Sequence, residues 1–144
     1  ENRGTELEGK TVGIIGFGNT GSTFASKLIG FGVKMLTYDP FKIVNTEQFP
    51  FVEQVEMKRI FDECDILSLH VPLTEDTTFL INESYINSFR KPIVLINTSR
   101  GKVVNTASLV EGIKNNRVSA VALDVLEYES VSFEQLPSEA LPPP

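Results

Sequence analysis

The chain has 144 residues, of which 41% are hydrophobic and 22% charged, and its formal net charge is −6 at pH 7. These values are typical of one globular domain with a sizeable core, and the negative charge argues against a nucleic-acid surface. No apolar run reaches the roughly 18 residues that a membrane span needs, and no signal peptide is visible, so we expect no membrane partner and a cytoplasmic location. The one cysteine, Cys64, excludes a disulfide framework and is interpreted as a buried core thiol; no metal site is predicted.

The first predicted element is a buried strand that runs into a glycine-rich turn. Residues 12–15 form an apolar run rich in β-branched side chains, which is typical of a strand buried on both faces of a parallel sheet. The run breaks at residues 16–21, GFGNTG, which have the spacing G-x-G-x-x-G. A helical pattern follows, with Phe24, Leu28 and Phe31 three or four residues apart.

Each glycine of this motif has a physical reason to be there. Gly16 allows a tight turn out of the strand, Gly18 lets a pyrophosphate approach the backbone, and Gly21 lets the helix pack closely on the strand. The unpaired amides at the start of the helix, with their partial positive charge, attract the phosphates.

A second predicted strand, residues 33–38, ends in Asp39, which lies 18 residues after the last glycine of the motif. A carboxylate at that position can accept hydrogen bonds from both ribose hydroxyls. Strand, glycine loop, helix and acid in this order predict a dinucleotide site, with a purely structural glycine turn as the alternative. Because an acid repels a 2′-phosphate, the predicted cofactor is NAD rather than NADP.

The rest of the chain alternates apolar runs with helical stretches, the pattern of βαβ units around a parallel sheet. Further strands are predicted at residues 51–55, 66–70, 93–96 and 118–123. Helices are predicted at residues 56–63, from a cap at Asn82 through Phe89, and from Asn105 or Thr106 onward with Leu109, Val110 and Ile113. The predicted fold class is therefore α/β: a Rossmann-type doubly wound parallel sheet with helices on both faces, in a single three-layer domain.

Polar residues follow several of these strands, and ligands of such sheets bind at the carboxyl ends of the strands. The candidates at that edge are Asp39, His70 to Pro72, Thr98 to Arg100, Asp124 and Glu129. Their convergence from scattered positions is more informative than any single residue.

With these residues in place, the chain resembles the NAD-binding domain of the D-isomer-specific 2-hydroxyacid dehydrogenases, a family that includes D-3-phosphoglycerate, D-lactate, glycerate and formate dehydrogenases. Four blocks carry the resemblance in order: LEGKTVGIIGFG at 7–18, LHVPLT at 69–74, INTSRG at 96–101 and ALDVLEYE at 122–129.

The resemblance implies cofactor contacts along the whole length of NAD. By this resemblance the glycine loop with Asn19 and Thr20 binds the phosphates, Asp39 binds the ribose, and Asp124 contacts the carboxamide. The remaining implied cofactor-lining positions are His70, Val71, Pro72, Thr77, Thr98, Ser99 and Arg100.

The resemblance also implies two catalytic positions, Arg100 and Glu129. Arg100 matches the arginine that holds the substrate, and a guanidinium can clamp a 2-keto carboxylate and polarise its carbonyl. Glu129 matches the acid that pairs with the catalytic histidine and raises its pKa. Each residue taken alone has a simpler interpretation: Arg100 is a solvated charge, Glu129 a surface acid, and Asp124 a turn cap.

The catalytic histidine of the family is absent from this chain. The single histidine, His70, matches a structural, cofactor-lining position, and in an apolar strand it is more simply a satisfied core residue than an acid–base group. The family's substrate-binding domain is also absent, so we expect the fragment to bind NAD without turning over substrate.

The expected organisation is a linker at 1–8, an NAD-binding domain at 9–129 and a proline-rich, truncated tail at 130–144. The parent is expected to be a homodimer that transfers a hydride between NAD(H) and a D-2-hydroxy acid, with 3-phosphoglycerate as the first guess. A non-catalytic NAD(H)-sensing module of the corepressor type is the main alternative, and a hydrolase domain with tightly held NAD is a third.

Overall fold

The computed structural model describes residues 4–128. Its strands are β1 (Thr11–Ile15), β2 (Lys34–Tyr38), β3 (Val52–Gln54), β4 (Ile66–Leu69), β5 (Ile93–Asn97) and β6 (Val118–Leu123). Its α-helices are α1 (Asn19–Lys27), α2 (Met57–Glu63), α3 (Glu83–Asn87) and α4 (Thr106–Lys114), and a short 3₁₀ helix spans Gly101–Val103.

Within the described residues the strands form one parallel sheet in the order β3-β2-β1-β4-β5-β6. The chain winds outward from β1 through β2 to β3, then returns to the other side of β1 and continues outward from β4. This order reverses between β1 and β4, and such a switch point leaves a crevice outside the carboxyl ends of the strands. The predicted doubly wound α/β fold is confirmed.

The core consists of two apolar clusters, one on each face of the sheet. Val12 and Ile14 of β1 belong to the cluster that contains Ala25 of α1. Ile15 of the same strand belongs to the other cluster, with Ile60 of α2 and Leu109 of α4. Because successive strand residues point to opposite faces, β1 is buried on both sides, as its continuous apolar run predicts.

The first helix is shorter than its apolar spacing predicts. Helix α1 ends at Lys27, where the N–H of Leu28 bonds back to Ala25, and Gly30 then takes a left-handed conformation with φ +95°. The prediction that the helical pattern extends to Phe31 is therefore wrong: Phe31 lies beyond the helix, and its side chain is 53% exposed.

The third and fourth helices also differ from prediction at particular residues. Asn82 caps α3 as predicted, since its side-chain oxygen accepts the N–H of Tyr85 at 2.9 Å, but the helix ends at Asn87 rather than Phe89. In α4 the helix begins at Thr106, yet Ile113 is 43% exposed. Gly112 takes a buried position instead, and a Cβ there would lie 3.1 Å from Ile86 and 3.2 Å from Val118, so a larger residue would require these side chains to shift.

Cys64 follows the last turn of α2 and is fully buried, which confirms its interpretation as a core thiol. Its Sγ lies 2.9 Å from the carbonyl oxygen of Ile66. Burial raises the pKa of the thiol to about 12, so the group stays protonated and unreactive at neutral pH.

Gly13 of β1 provides a test of this packing, because a Cβ there would lie 2.9 Å from Cys64 Sγ and 3.1 Å from Ile60. We expect Gly13→Ala to lower the free energy of unfolding by about 1–3 kcal/mol through overpacking, measured by urea denaturation. The control is Gly4→Ala, where nothing lies within 4 Å. Equal stability of the two variants would contradict the close packing described for β1.

Candidate functional site

The glycine loop lies at the switch point between β1 and β4, and two of its glycines are in direct backbone contact. Gly16 has φ +86°, and a Cβ there would overlap the carbonyl oxygen of His70. A Cβ at Gly21 would overlap the carbonyl oxygen of Gly16. The loop therefore folds tightly only with glycine at both positions, in agreement with the predicted turn and the predicted close packing of the helix.

Gly18 differs from its neighbours because nothing lies within 4 Å of the place where its Cβ would be. It is the N-cap of α1, it provides no side-chain cap, and the first turn of the helix contains no acid. Asn19 and Thr20, the next two residues, are exposed. This arrangement leaves an open, bare backbone surface at the positive end of a helix, which fits a diphosphate.

Asp39 lies directly after β2 and connects two backbone segments. Its Oδ2 accepts the N–H of Phe17, inside the glycine loop, at 2.8 Å, and its Oδ1 accepts the N–H of Phe41 at 2.9 Å. Sequence reasoning missed this second role. A signal for one half of it existed, because an Asp commonly bonds the backbone amide two residues later. Each carboxylate oxygen keeps a further lone pair, so the group can still accept hydroxyl donors.

A cleft of about 460 Å³ opens beside Asp39. The lining residues are Tyr38, Asp39, Pro40, Gln54, Val55 and Glu56. Gln54 holds one wall, since its side-chain oxygen accepts the N–H of Val44 and its side-chain nitrogen donates to Lys42 O at 2.7 Å. Two carboxylates, those of Asp39 and Glu56, line the same cleft, and the second was not predicted.

His70 follows β4 and supports the glycine loop from the other side. Its N–H donates to Ile15 O at 2.8 Å, its ring nitrogen Nε2 lies 2.9 Å from Ser68 Oγ, and its ring is 5.0 Å from that of Phe24. Burial lowers the pKa of His70, so the ring is neutral at pH 7. These contacts agree with a lining and structural position and not with a proton donor.

The segment after His70 runs along the same edge. A methyl carbon of Val71 lies 3.1 Å from the position that a Cβ of Gly16 would take, and Pro72 is exposed. Thr77 closes the loop: its Oγ1 donates to Pro72 O at 2.6 Å and accepts the N–H of Thr74 at 2.8 Å. The hydroxyl of Thr77 is therefore engaged within the loop, which favours a shaping role for this predicted cofactor contact.

Asn97, the last residue of β5, shapes the turn that contains Thr98, Ser99 and Arg100. The buried side chain accepts the Ser99 N–H at 3.0 Å and the Ser99 hydroxyl at 2.8 Å, and donates to Arg100 O at 3.0 Å. Sequence reasoning missed this role of Asn97. An Asn directly before a turn was the available signal.

Thr98 and Arg100 are exposed at this edge, and the Arg100 guanidinium donates to Ser99 O at 2.7 Å. Asp124, exposed after β6, is joined to the same turn because its N–H donates to Asn97 O at 3.0 Å. The structure thus brings the ends of β5 and β6 together. Glu129, the second predicted catalytic residue, lies outside the described residues.

Within residues 4–128, no helix is long and apolar enough to cross a lipid bilayer. In the same part of the chain, no cluster of three or more His, Cys, Asp or Glu side chains is arranged to hold a metal ion.

Comparison with known proteins agrees with this geometry. A family model described as "D-isomer specific 2-hydroxyacid dehydrogenase, NAD binding domain" matches residues 1–142. The chain is 43% identical over 131 residues to 2-hydroxyacid dehydrogenase A of Aspergillus oryzae, covering 90% of the chain and 37% of that protein. It is 42% identical over 132 residues to hydroxypyruvate reductase of Thermotoga maritima, covering 92% of the chain and 42% of that protein.

Among solved structures, D-lactate dehydrogenase of Lactobacillus jensenii with NAD⁺ is similar with a TM-score of 0.82 and 34% sequence identity, covering 96% of the chain and 42% of that structure. The chain thus spans about two fifths of the length of these relatives. The match extends over nearly the whole chain, and it includes the glycine loop and the strand ends described above. The chain belongs to the D-isomer specific 2-hydroxyacid dehydrogenase family, as its NAD-binding domain.

Proposed function

We propose that this domain serves an enzyme that transfers a hydride between NAD(H) and the C2 position of a D-2-hydroxy or 2-keto acid. The observation that carries the proposal is the glycine loop, in which Gly18 leaves open space between close backbone contacts at Gly16 and Gly21. Tight packing on both sides of one open position is what a backbone needs to receive a diphosphate.

The cofactor would lie across the switch point, with its diphosphate on the amides of Gly18, Asn19 and Thr20. Asp39 would accept the ribose hydroxyls next to the adjoining cleft, and Val71 and Pro72 would line the adenine side. When bound, NAD(H) supplies or accepts the hydride. The turn at Thr98 and Ser99, together with Asp124, would orient the nicotinamide end.

Charge at the cleft supports NAD over NADP. Asp39 and Glu56 both line it, and two carboxylates repel a 2′-phosphate more strongly than one. The sequence supports NAD through Asp39 alone, and Glu56 adds a second carboxylate that disfavours NADP.

Arg100 would hold the substrate. Its guanidinium is exposed at the edge where β5 ends, and a planar cation there can clamp the carboxylate of a 2-keto acid with two hydrogen bonds. Glu129 would pair with a histidine contributed from outside this chain, and that imidazolium would donate the proton.

The relatives named above support a small 2-keto acid as substrate, since one is a hydroxypyruvate reductase and another a D-lactate dehydrogenase. 3-Phosphoglycerate remains a narrower prediction, to be tested beside glyoxylate, hydroxypyruvate and pyruvate. A homodimeric, cytoplasmic enzyme that acts without nucleic acid or membrane is proposed on the same family grounds.

Gly18→Ala tests the diphosphate cradle. Nothing lies near the added methyl group, and only the N-cap preference for glycine over alanine is lost, so we expect the free energy of unfolding to fall by no more than about 1 kcal/mol. NADH affinity, measured by calorimetry, should fall at least roughly tenfold because the methyl group occupies the space of the diphosphate. Gly4→Ala is the control, and unchanged NADH affinity in Gly18→Ala would remove the cradle from the proposal.

Asp39→Ala tests cofactor choice. The variant loses charged hydrogen bonds worth about 1.5–3 kcal/mol each, so NADH affinity should fall at least roughly tenfold and the preference for NADH over NADPH should shrink. Asp62→Ala, which removes a surface acid paired with Lys58 on α2, is the control. Titrations that give the same ratio of NADH to NADPH affinity in both variants would exclude the ribose role.

Arg100→Ala tests the substrate site in a longer protein that joins this domain to a substrate-binding domain. We expect kcat/KM for 2-keto acids to fall at least about 100-fold, with NADH affinity within about twofold of the parent. Arg90→Ala, an exposed arginine on another part of the surface, is the control. A parent that binds NADH but reduces none of the acids tested would instead favour the NAD(H)-sensing module.

A further inference from the structure

The segment after β6, residues 124–128, contacts the rest of the domain through hydrogen bonds and a close backbone approach. Asp124 N–H donates to Asn97 O at 3.0 Å, as described above. The backbone of Leu126 packs closely against Gly101, where a Cβ would overlap the Leu126 carbonyl. Glu127 makes the third attachment, because its Oε2 accepts the N–H of Thr106 at 2.7 Å.

The apolar side chains of this segment are only partly buried. Leu126 is 39% exposed and Tyr128 is 38% exposed. The preceding strand is also open, since four successive residues of β6, Ser119 to Ala122, are exposed. Directed contacts therefore add to this partial burial in holding the segment, and the Glu127 carboxylate is a side chain that makes one of them.

Glu127 is not needed merely to cap α4. Asn105 is the N-cap residue, and its side-chain oxygen already accepts the N–H of Ser108 at 2.9 Å. The Glu127 carboxylate binds a different amide, that of Thr106, where the positive end of the helix favours an anion. The bond therefore ties a distant part of the chain, 21 residues later, to the start of α4.

We propose that Glu127 is a positioning residue that holds residues 124–128 against the 97–101 turn and so fixes the part of the site that receives the nicotinamide half of NAD. The inference rests on the proposed function. Asp124, the proposed carboxamide contact, lies three residues before Glu127, and Glu129, the proposed histidine partner, lies two residues after it. Glu127 itself touches neither cofactor nor substrate in this role.

The experiment compares NADH with ADP-ribose, which lacks the nicotinamide, by calorimetry on this chain. We expect Glu127→Ala to lower NADH affinity about fivefold, because binding of the nicotinamide must then order the loosened segment, and to leave ADP-ribose affinity within about twofold. Glu127→Gln should retain most of the NADH affinity, because the amide oxygen still accepts the Thr106 N–H. Glu111→Ala, which removes an exposed acid paired with Lys114 on the same helix, is the control.

Four other outcomes overturn the inference. They are unchanged NADH affinity in Glu127→Ala, an equal loss of NADH and ADP-ribose affinity, no rescue by Gln, and a wild-type chain that binds NADH no more tightly than ADP-ribose. In each of these cases, ADP-ribose binding by the wild type would still support the proposed dinucleotide site. A folded wild-type chain that binds neither ligand would overturn the proposed cofactor site, and this inference with it.

Discussion

The site depends on close backbone packing at one point, where the end of β1 meets the end of β4. Gly16 lies against the carbonyl of His70, and Gly21 lies against the carbonyl of Gly16. Side chains at either glycine would separate the helix from the sheet and would move the open backbone at Gly18. The close packing at this edge therefore requires residues without a Cβ atom. For this reason a short motif of glycines is a specific signal for this loop geometry.

Asp39 links that packing to the neighbouring cleft. The same carboxylate that faces the cleft holds the amide of Phe17 within the glycine loop and the amide of Phe41 beyond it. Under the proposed function, recognition of the ribose and the shape of the glycine loop would therefore be coupled through one side chain. A substitution at this position removes the contact with the loop, so a variant made to alter the proposed cofactor preference would also affect the loop.

The sequence predicted the succession of strands and helices along the chain and the position of the glycine loop, because both follow from local patterns. It placed Asp39, His70, Arg100 and Asp124 at the ends of strands, where the structure has them. It did not predict the exposure of Phe31 or Ile113, since helix termination and the tight approach at Gly112 depend on tertiary packing. The supporting contacts of Asn97 and Glu127 were missed for a related reason: their partners are set by the turn that forms or by distant parts of the chain, and periodicity contains no information about such pairs.

The buried state of Cys64 has a practical consequence for spectroscopy. It is the only cysteine in the sequence, and its thiol is enclosed by the core and held in the unreactive protonated form. A cysteine introduced on an exposed loop such as that around Leu73 would therefore be the sole position open to a maleimide dye. The native chain thus serves directly as the background for single-site fluorescent labelling, with no need to remove a residue from its core.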